Sequence, residues 1–439
     1  MPKHCEYELR RTKFLKTLPK ESIAIISSAS EHLRNGDSYY PYRQNSDFYY
    51  LTGFKEPEAV AVFIPGRKEG EFILFCRARD PEKETWDGIR AGQEGAREIY
   101  GADQSFPFES LNQHMPLFLE NRRHLYYAIG QDMRFNKRIL SWLSTVKKQV
   151  RKGITAPQEF ANVEKIIHAM RLRKTTAEIT LMRKAGQISA KAHCAAMAAC
   201  KPGLYEYELE AEIQAIFTKN GSRSPAYNHI IGAGRNTCVL HYTDNQTQIQ
   251  DGDMVLIDAG AEYAHYAADI TRTFPANGRF TPEQRAVYEA VLTTQLAVIK
   301  TIRPGLSWHE LQRTSEVVMT EELLRLGLLQ GQLDTLIQTG AYQKFYMHRI
   351  GHWLGMDVHD AGSYRDDQGQ WQTLEPGMVF TVEPGIYIPA HTDGVAEKWW
   401  NIGVRIEDDI LVTENGAEIL SAGVPKTVIE IEALMAGNQ

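Results

Sequence analysis

The feature that most constrains the fold of this chain is an internal repeat, in which similar short segments occur twice in the same order. The tetrapeptide KPGL at residues 201–204 returns as RPGL at residues 303–306, and Pro202 and Pro304 lie 102 residues apart. Further along, GDMVLIDAG at 252–260 aligns with GMVFTVEPG at 377–385, so that Asp258 corresponds to Glu383. Two matches in the same order predict a pseudo-symmetric domain of two α+β halves that face each other, with a site at their junction.

The N-terminal part of the chain lacks this repeat and is predicted to form a separate α/β domain. Short β-branched and aromatic runs predict strands at 22–28, 59–64, 71–76 and 124–128. Helical spacing of apolar residues predicts helices at 139–150 and 159–170. A chain of 439 residues is long for one core. We therefore predict a non-catalytic domain at 1–172 and a catalytic domain at 173–439.

Charge and hydropathy exclude several classes of partner. Lys+Arg 49 against Asp+Glu 55 gives a net charge of −6, so no basic excess predicts binding to nucleic acid. The sequence has no apolar run of about 18 residues or more, which predicts that no membrane span is present. The first twenty residues are charged throughout and lack the apolar stretch of a signal peptide. A cytoplasmic location is the simplest interpretation.

Four acids and one histidine lie in or beside apolar runs of the repeated region. They are Asp258, Asp269, His352, Glu383 and Glu407. An unpaired carboxylate near a core is costly, and metal coordination would remove that cost. Four carboxylates would balance two divalent cations, and an oxygen-rich set with one imidazole suits Mn²⁺, Co²⁺ or Fe²⁺ better than a thiolate-type zinc site. Two such ions can lower the pKa of a shared water, so the predicted chemistry is hydrolysis.

The spacing of these acids predicts how strands present them. Asp258 and Asp269 flank Gly260, which suits a hairpin that turns at this glycine. Arg405 alternates with Glu407, so the two are predicted to share one face of a strand, where Arg405 could pair with a ligand carboxylate. Asp408 is then predicted to face away, so that its replacement by Asn would be mild.

Three further histidines lie near these segments in the sequence. They are His241, His348 and His359. A lone histidine is more often structural than catalytic, but three around a metal centre favour a role for at least one or two of them. An imidazole there could donate a hydrogen bond to a substrate carbonyl or a developing oxyanion.

At these residues the chain resembles the pita-bread metallopeptidases, and most closely the bacterial aminopeptidase P (Xaa-Pro aminopeptidase) family. The matching motifs are YPYRQNSDF at 40–48, LHYT at 240–243, IDAG at 257–260, DITRTF at 269–274, HWLG at 352–355 and VEPG at 382–385. They extend over nearly the full length. One departure is RIG at 349–351, where Gly-Leu-Gly or Gly-Leu-Ser is more usual, and it lies beside the site.

The resemblance implies a dinuclear aminopeptidase that releases the N-terminal residue of peptides with proline in second position. It assigns five metal ligands, namely Asp258, Asp269, His352, Glu383 and Glu407, to two ions, with Mn²⁺ favoured over Co²⁺, Fe²⁺ or Zn²⁺. Asp269 and Glu407 would bridge the ions, and Glu383 would accept the proton. His241 and His359 would contact the substrate and the oxyanion, while His348 and Arg405 match active-site positions. The family also implies a homo-oligomer, either a dimer or a tetramer.

Related functions stay open at this point. A prolidase, which cleaves Xaa-Pro dipeptides, shares the fold, the length and the ligands. Methionine aminopeptidase shares the ligands but normally lacks so large an N-terminal domain. A non-catalytic binding protein of the same fold would have lost ligands, and here all five are present.

Overall fold

The computed structural model describes residues 4–437 of the chain. Its internal contacts divide it into two compact units, Met1–Met170 and Arg171–Gln439. This division falls close to the predicted domain boundary, and the functional limits of the two domains stay a prediction.

The first unit consists of short strands and helices in alternation. Its strands are β1 (Ser22–Ser27), β2 (Leu33–Asn35), β3 (Ser38–Tyr39), β4 (Val60–Phe63), β5 (Phe72–Cys76), β6 (Gln104–Pro107), β7 (His124–Tyr127) and β8 (Glu159–Asn162). Its helices are α1 (His4–Thr17), α2 (Ser46–Thr52), α3 (Pro81–Asp87), α4 (Gly92–Glu98), α5 (Leu111–Leu119), α6 (Met133–Lys147) and α7 (Glu164–Leu172). Six strands form one sheet in the order β6-β5-β4-β1-β7-β8, and β2 and β3 form a separate pair.

The four strands predicted in this part are confirmed as β1, β4, β5 and β7. Strand β1 pairs antiparallel with β4 and parallel with β7, so the sheet is mixed. Side chains of these strands, such as Ile23, Val62 and Phe75, pack with Met115 of α5 and Trp142 of α6 in one buried cluster. Burial of this apolar surface stabilises the unit, and the β-branched runs supply it.

The helix predicted for residues 159–170 is wrong in its first third. Glu159–Asn162 is a strand that pairs in parallel with β7, and the helix begins only at Glu164. The backbone of β8 completes its hydrogen bonds against the edge of the sheet, which the helical spacing of apolar residues could not reveal. Phe160 is accordingly 46% exposed, whereas Val163 and Ile167 are buried.

The second unit contains the repeated segments. Its helices are α8 (Thr176–Ala199), α9 (Glu206–Lys219), α10 (Pro282–Thr301), α11 (Trp308–Arg325), α12 (Leu333–Gln338) and α13 (Val428–Ala436). Its strands are β9 (Ile230–Ala233), β10 (Met254–Asp258), β11 (Glu262–Tyr263), β12 (Tyr266–Ala267), β13 (Thr271–Pro275), β14 (Val379–Val382), β15 (Gly385–Ile388), β16 (Ile402–Arg405), β17 (Asp408–Thr413) and β18 (Gly416–Ile419).

The predicted pseudo-symmetry is confirmed by two equivalent sets of elements. Helices α8 and α9 accompany a sheet of order β13-β10-β9, and helices α10 and α11 accompany a sheet of order β14-β17-β18. Each long first helix begins at a threonine capping box, Thr175 in one half and Thr281 in the other. Strands β10 and β14 carry the aligned segments, so both halves direct an acid from the end of a buried strand. No helix within residues 4–437 is both long and apolar enough to span a membrane.

Candidate metal centre

Asp258 and Asp269 lie at the ends of the paired strands β10 and β13. Asp258 is the last residue of β10 and is opposite Thr271 of β13, two residues after Asp269. The predicted antiparallel pairing is confirmed, but the turn does not lie at Gly260. A Cβ at Gly260 would meet the carbonyl oxygen of Ala268 at 1.7 Å, so this glycine permits a close backbone approach. The small hairpin β11–β12 makes the turn instead.

Glu383 and Glu407 extend from the equivalent region of the second half. Glu383 follows β14 directly, and Glu407 lies between β16 and β17. The prediction that Arg405 and Glu407 belong to one strand is wrong, because β16 ends at Arg405. The backbone N–H of Glu407 donates to the carbonyl of Thr271, 3.0 Å away, which fixes Glu407 next to Asp269. This contact joins the two halves of the unit at the site.

His352 reaches the four acids from a segment that runs along β14. The backbone N–H of Thr381 donates to the His352 carbonyl, and the N–H of Glu383 donates to the Ile350 carbonyl. A Cβ at Gly351 would lie 1.9 Å from the carbonyl oxygen of Thr381, so only glycine allows this approach. Nδ1 of His352 lies 3.0 Å from the carbonyl of Trp353 and donates to it, which leaves Nε2 available to bind a cation.

The five side chains converge in one cavity of about 470 Å³. Nε2 of His352 lies 3.4 Å from Oδ2 of Asp269 and 3.5 Å from Oε1 of Glu383. Ligand atoms of Asp269, His352 and Glu407 all lie within 4.8 Å of one another. Four carboxylates and one imidazole nitrogen at this spacing fit divalent cations that accept oxygen and nitrogen ligands.

The electrostatics of the cluster favour the same conclusion. Burial raises the pKa of Glu383 to about 7, and repulsion from Asp269 and Asp258 adds to this rise. Burial likewise raises the pKa of the Glu407 carboxyl well above its ordinary range, again with repulsion from neighbouring acids. Bound cations would compensate these charges, so the residues present fit a metal centre.

Tyr227 is a residue of the site that the sequence analysis missed. Its hydroxyl lies 2.6 Å from Oδ1 of Asp258 and also contacts Oδ1 of Asp269. It lies in the loop before β9, and no spacing in the sequence connects it with the two acids. Because the hydroxyl carries a single proton, it donates to one of these carboxylates at a time, and its position links the two acids.

Three other partners of the acids were also missed. The hydroxyl of Thr271 donates to Oε2 of Glu407 at 2.7 Å. The hydroxyl of Thr381 lies 3.2 Å from Oε1 of Glu383, and the carboxylate of Asp409 accepts from the backbone N–H of Asp269 at 3.1 Å. The alternation of side chains along a strand could have indicated both threonines. Each lies two residues from an acid, so its side chain is expected on the same face as that acid. Partners of this kind orient metal ligands.

Arg405 forms the predicted ion pair with a ligand carboxylate. Its Nη2 lies 2.6 Å from Oδ2 of Asp258, its Nη1 donates to the Tyr387 hydroxyl at 3.0 Å, and its Nε donates to the Thr271 hydroxyl at 3.1 Å. The guanidinium is buried, and every one of its nitrogens has a protein partner. Burial raises the pKa of Asp258, and Arg405 counteracts this rise, so the guanidinium orients the carboxylate and favours its ionised form.

The three remaining histidines line the same cavity. Nδ1 of His348 lies 2.9 Å from the carbonyl of Arg349, and Nε2 lies 2.9 Å from the Tyr387 hydroxyl, so both nitrogens are engaged. Burial lowers the pKa of His348 to about 4, so this imidazole is neutral at physiological pH. His241 and His359 have exposed rings and can face a substrate.

A buried ion-pair group holds the loop that carries His359. The carboxylate of Asp360 lies 2.5 Å from Nη2 of Arg171 and 3.1 Å from Nζ of Lys174. The backbone N–H of Asp360 donates to the carbonyl of Trp353 at 2.9 Å. The ring of His359 is thereby fixed with its centroid 4.3 Å from that of His352, in an edge-on arrangement.

Asp408 faces away from the acid cluster, as predicted, but it is buried rather than exposed to solvent, and this burial argues against a mild effect of its replacement by Asn. The side chain is fully buried and pairs with Nη2 of Arg272 and Nζ of Lys426, each at 2.7 Å. We expect Asp408→Asn to lower the free energy of unfolding by about 3 kcal/mol, because it leaves a buried guanidinium without its counter-charge. Thermal denaturation measures this effect, with Asp367→Asn on the exposed surface as the control. Equal midpoints for both variants would contradict it.

Comparison with known proteins agrees with this geometry. The family model described as metallopeptidase family M24 matches residues 180–414, and the one described as aminopeptidase P, N-terminal domain, matches residues 7–126. The chain is 46% identical to the Xaa-Pro aminopeptidase of Escherichia coli (strain K12), over 98% of this chain and 97% of that protein. It is 43% identical to the Xaa-Pro aminopeptidase of Haemophilus influenzae, over 99% of this chain and 98% of that protein.

Solved structures resemble the fold over its whole length. The aminopeptidase PepP of Pseudomonas aeruginosa superimposes with a TM-score of 0.98 at 52% identity, covering 100% of this chain and 99% of that one. A zinc-substituted E. coli aminopeptidase P in complex with product superimposes with a TM-score of 0.96 at 45% identity, again covering 100% and 99%. The matches include both the N-terminal unit and the unit that carries the acid cluster.

Proposed function

The chain belongs to metallopeptidase family M24 and carries the N-terminal domain of aminopeptidase P, and from this premise we propose that it is an Xaa-Pro aminopeptidase. It would hydrolyse the bond between the N-terminal residue of a peptide and a proline in second position. The observation that carries the proposal is the convergence of five ligand side chains from both halves of the second unit in one cavity. The relatives named Xaa-Pro aminopeptidase match along nearly the whole chain, which supports the same activity.

Two divalent cations would be held by Asp258, Asp269, His352, Glu383 and Glu407. Mn²⁺ fits this donor set best, since four oxygen donors and one imidazole suit a hard ion, and Co²⁺, Fe²⁺ or Zn²⁺ are alternatives. When bound, such ions polarise the scissile carbonyl and lower the pKa of water so that it can attack near neutrality. Asp269 and Glu407 would be the carboxylates shared by the two ions, as the family resemblance implies.

Side chains of the protein would supply proton transfer, hydrogen bonding to the substrate and positioning of the ligands. Glu383, which lines the cavity, would accept the proton of the attacking water and pass it to the leaving proline nitrogen. His241 and His359 would donate hydrogen bonds to the carbonyl oxygen as negative charge develops on it. Arg405 and His348, whose polar atoms are engaged within the protein, would hold Asp258 and the cavity wall in position.

A proline in second position changes how the enzyme can recognise its substrate. The Xaa-Pro bond is a tertiary amide without an N–H, so the enzyme must recognise the ring by shape. The apolar side chains that line the cavity are Ile230, Leu240 and Val358. They offer an apolar surface for the ring.

A peptide panel tests this activity directly. The purified enzyme with Mn²⁺ should cleave Ala-Pro-Phe and leave Ala-Ala-Phe intact, as measured by release of free alanine. Equal cleavage of both peptides would contradict proline specificity. Loss of cleavage in Asp269→Asn, with retention in Asp366→Asn on an exposed loop, would assign the activity to this centre.

Substrate length separates the proposed enzyme from a prolidase. We expect kcat/KM for Xaa-Pro-Yaa tripeptides and longer chains to exceed that of the matching Xaa-Pro dipeptide by about tenfold or more, because further residues contribute binding in the transition state. A series of peptides from two to five residues measures the ratio. A strict preference for the dipeptide would identify a prolidase.

Other properties follow from the same family membership and belong to this proposal. We expect a homo-oligomer, either a dimer or a tetramer, a cytoplasmic location and peptides with a penultimate proline as partners. The proposed functional limits are residues 1–172 for the non-catalytic domain and 173–439 for the peptidase domain. Sedimentation and cell fractionation test the first two.

A further inference from the structure

A second cavity, of about 330 Å³, lies beside the metal centre. His348 and Arg349 line both cavities, so the two adjoin at these residues. The other walls of the second cavity combine aromatic and apolar side chains with polar ones. The first group is Trp308, Tyr342, Tyr346, Met347 and Trp371, and the second is His309, Gln312, Glu316 and Gln343. Met347 is 47% exposed, so its side chain stands at the open rim. The proposed reaction assigns no role to this space.

The walls of the second cavity are held in place by stacking and hydrogen bonds. Trp371 stacks on the ring of His309, with centroids 5.7 Å apart, and the guanidinium of Arg365 lies 3.9 Å from the Trp371 centroid. Oε1 of Gln312, on α11, accepts from the backbone N–H of Ile350 at 2.9 Å. This bond fixes the backbone directly after Arg349, so the cavity is preformed rather than assembled around a ligand.

Arg349 supplies a positive charge that the protein does not neutralise. Its side chain is exposed, and within residues 4–437 its guanidinium forms no ion pair. The acid that also lines the cavity is Glu316, whose carboxylate accepts from Nε2 of Gln312 at 3.2 Å and lies 3.8 Å from Nη1 of Arg313. Because Glu316 has these partners, Arg349 is the charge available to an anionic group of a ligand.

We propose that this cavity binds the third residue of the peptide and that Arg349 binds the carboxylate that follows it. The proposal rests on the proposed function. An aminopeptidase has a single residue on the amino side of the scissile bond, so the additional residues of a longer substrate all lie beyond the proline and need a further binding space. The aromatic side chains and Met347 suit an apolar or aromatic third residue, and a guanidinium binds a carboxylate through paired hydrogen bonds.

The test compares free and blocked peptides. For Ala-Pro-Phe against Ala-Pro-Phe amide, we expect kcat/KM to favour the free acid by about tenfold, mainly through KM, as is typical of a charge-assisted contact. Arg349→Met should reduce this ratio to about one, and Arg349→Lys should restore part of it. Arg303→Met, which removes an exposed cation that lines neither cavity, should keep the full ratio.

Two further comparisons identify the source of the carboxylate and guard against misfolding. If a side-chain acid can substitute, Ala-Pro-Asp amide will be cleaved faster than Ala-Pro-Asn amide, and Arg349→Met will remove the difference. Inhibition by Pro-Phe against Pro-Phe amide measures the same contact without turnover. Arg349→Gln serves as a second variant, with circular dichroism as the check on folding.

The outcomes separate this inference from the proposed function. Cleavage of both peptides with the same acid-to-amide ratio in the unmodified enzyme and in Arg349→Met overturns the role of Arg349 and leaves the aminopeptidase intact. A dependence on Arg349 that is seen only with the Ala-Pro dipeptide would mean that it binds the proline carboxylate, which also overturns the inference. Absence of cleavage of every peptide overturns both.

Discussion

Removal of divalent cations is expected to abolish peptide hydrolysis, and Mn²⁺ is expected to restore it. We expect dialysis against a chelator to lower kcat/KM for Ala-Pro-Phe by at least about 10³-fold, because metal ions contribute several kcal/mol of transition-state stabilisation. The physical basis is the set of four carboxylates and one imidazole in one cavity, where burial and mutual repulsion raise the pKa of Glu383 and Glu407. Elemental analysis of the same preparation should give two ions per chain before chelation.

A second measurement makes this prediction independent of activity. Without cations the carboxylates of Asp269, Glu383 and Glu407 repel one another, so we expect chelation to lower the thermal midpoint of the protein and Mn²⁺ to raise it again. Mg²⁺ at the same concentration serves as the control, because it prefers octahedral oxygen sites that keep several waters. Full activity in a preparation shown to contain no metal would contradict the assigned centre.

Glu407→Gln is expected to have the largest effect of any single substitution. The change keeps the shape of the side chain and its contact with the Thr271 hydroxyl, but it removes a charge that the two ions are proposed to share. We expect kcat/KM to fall by about 10³-fold or more, together with the loss of about one ion per chain. Steady-state kinetics and elemental analysis of the purified variant measure the two effects.

The matched control for this variant is Glu414→Gln. Glu414 is exposed in the turn between β17 and β18 and lies outside the cavity, so the same chemical change should leave kcat/KM and metal content unaffected. A Glu407→Gln enzyme that retained both ions and lost less than about tenfold in kcat/KM would rule out a bridging role for this carboxylate.

Some of the architecture could be predicted from local signals. Capping boxes at Thr175 and Thr281 mark where the long helices begin, because the side-chain hydrogen bonds that start a helix involve only neighbouring residues. The edge strand Glu159–Asn162 could not be predicted in this way, because its backbone is stabilised by a partner strand some 35 residues earlier. A pattern of apolar spacing does not contain that partner.

For the acid cluster too, some features could be predicted from the sequence, whereas others depend on the tertiary structure. The sequence by itself determined which residues bring charge into apolar surroundings, since Asp258 and Glu383 end equivalent runs of the internal repeat. It did not determine that the backbone of Glu407 hydrogen-bonds to Thr271, or that the Tyr227 hydroxyl lies between two acids.

The surroundings of the Asp408 and Arg349 side chains were likewise decided by the tertiary structure. Both follow directly or closely upon residues of the site, and both are charged. Strand alternation indicates only which way the Asp408 side chain faces. It does not indicate that Arg272 and Lys426, which are distant in sequence, form buried ion pairs with it. Within residues 4–437 Arg349 has no such ion-pair partner, and it borders a second cavity. The sequence thus determines residue types and their short-range spacing. Burial, charge pairing and the shape of a cavity depend on segments that come into contact only in the folded protein.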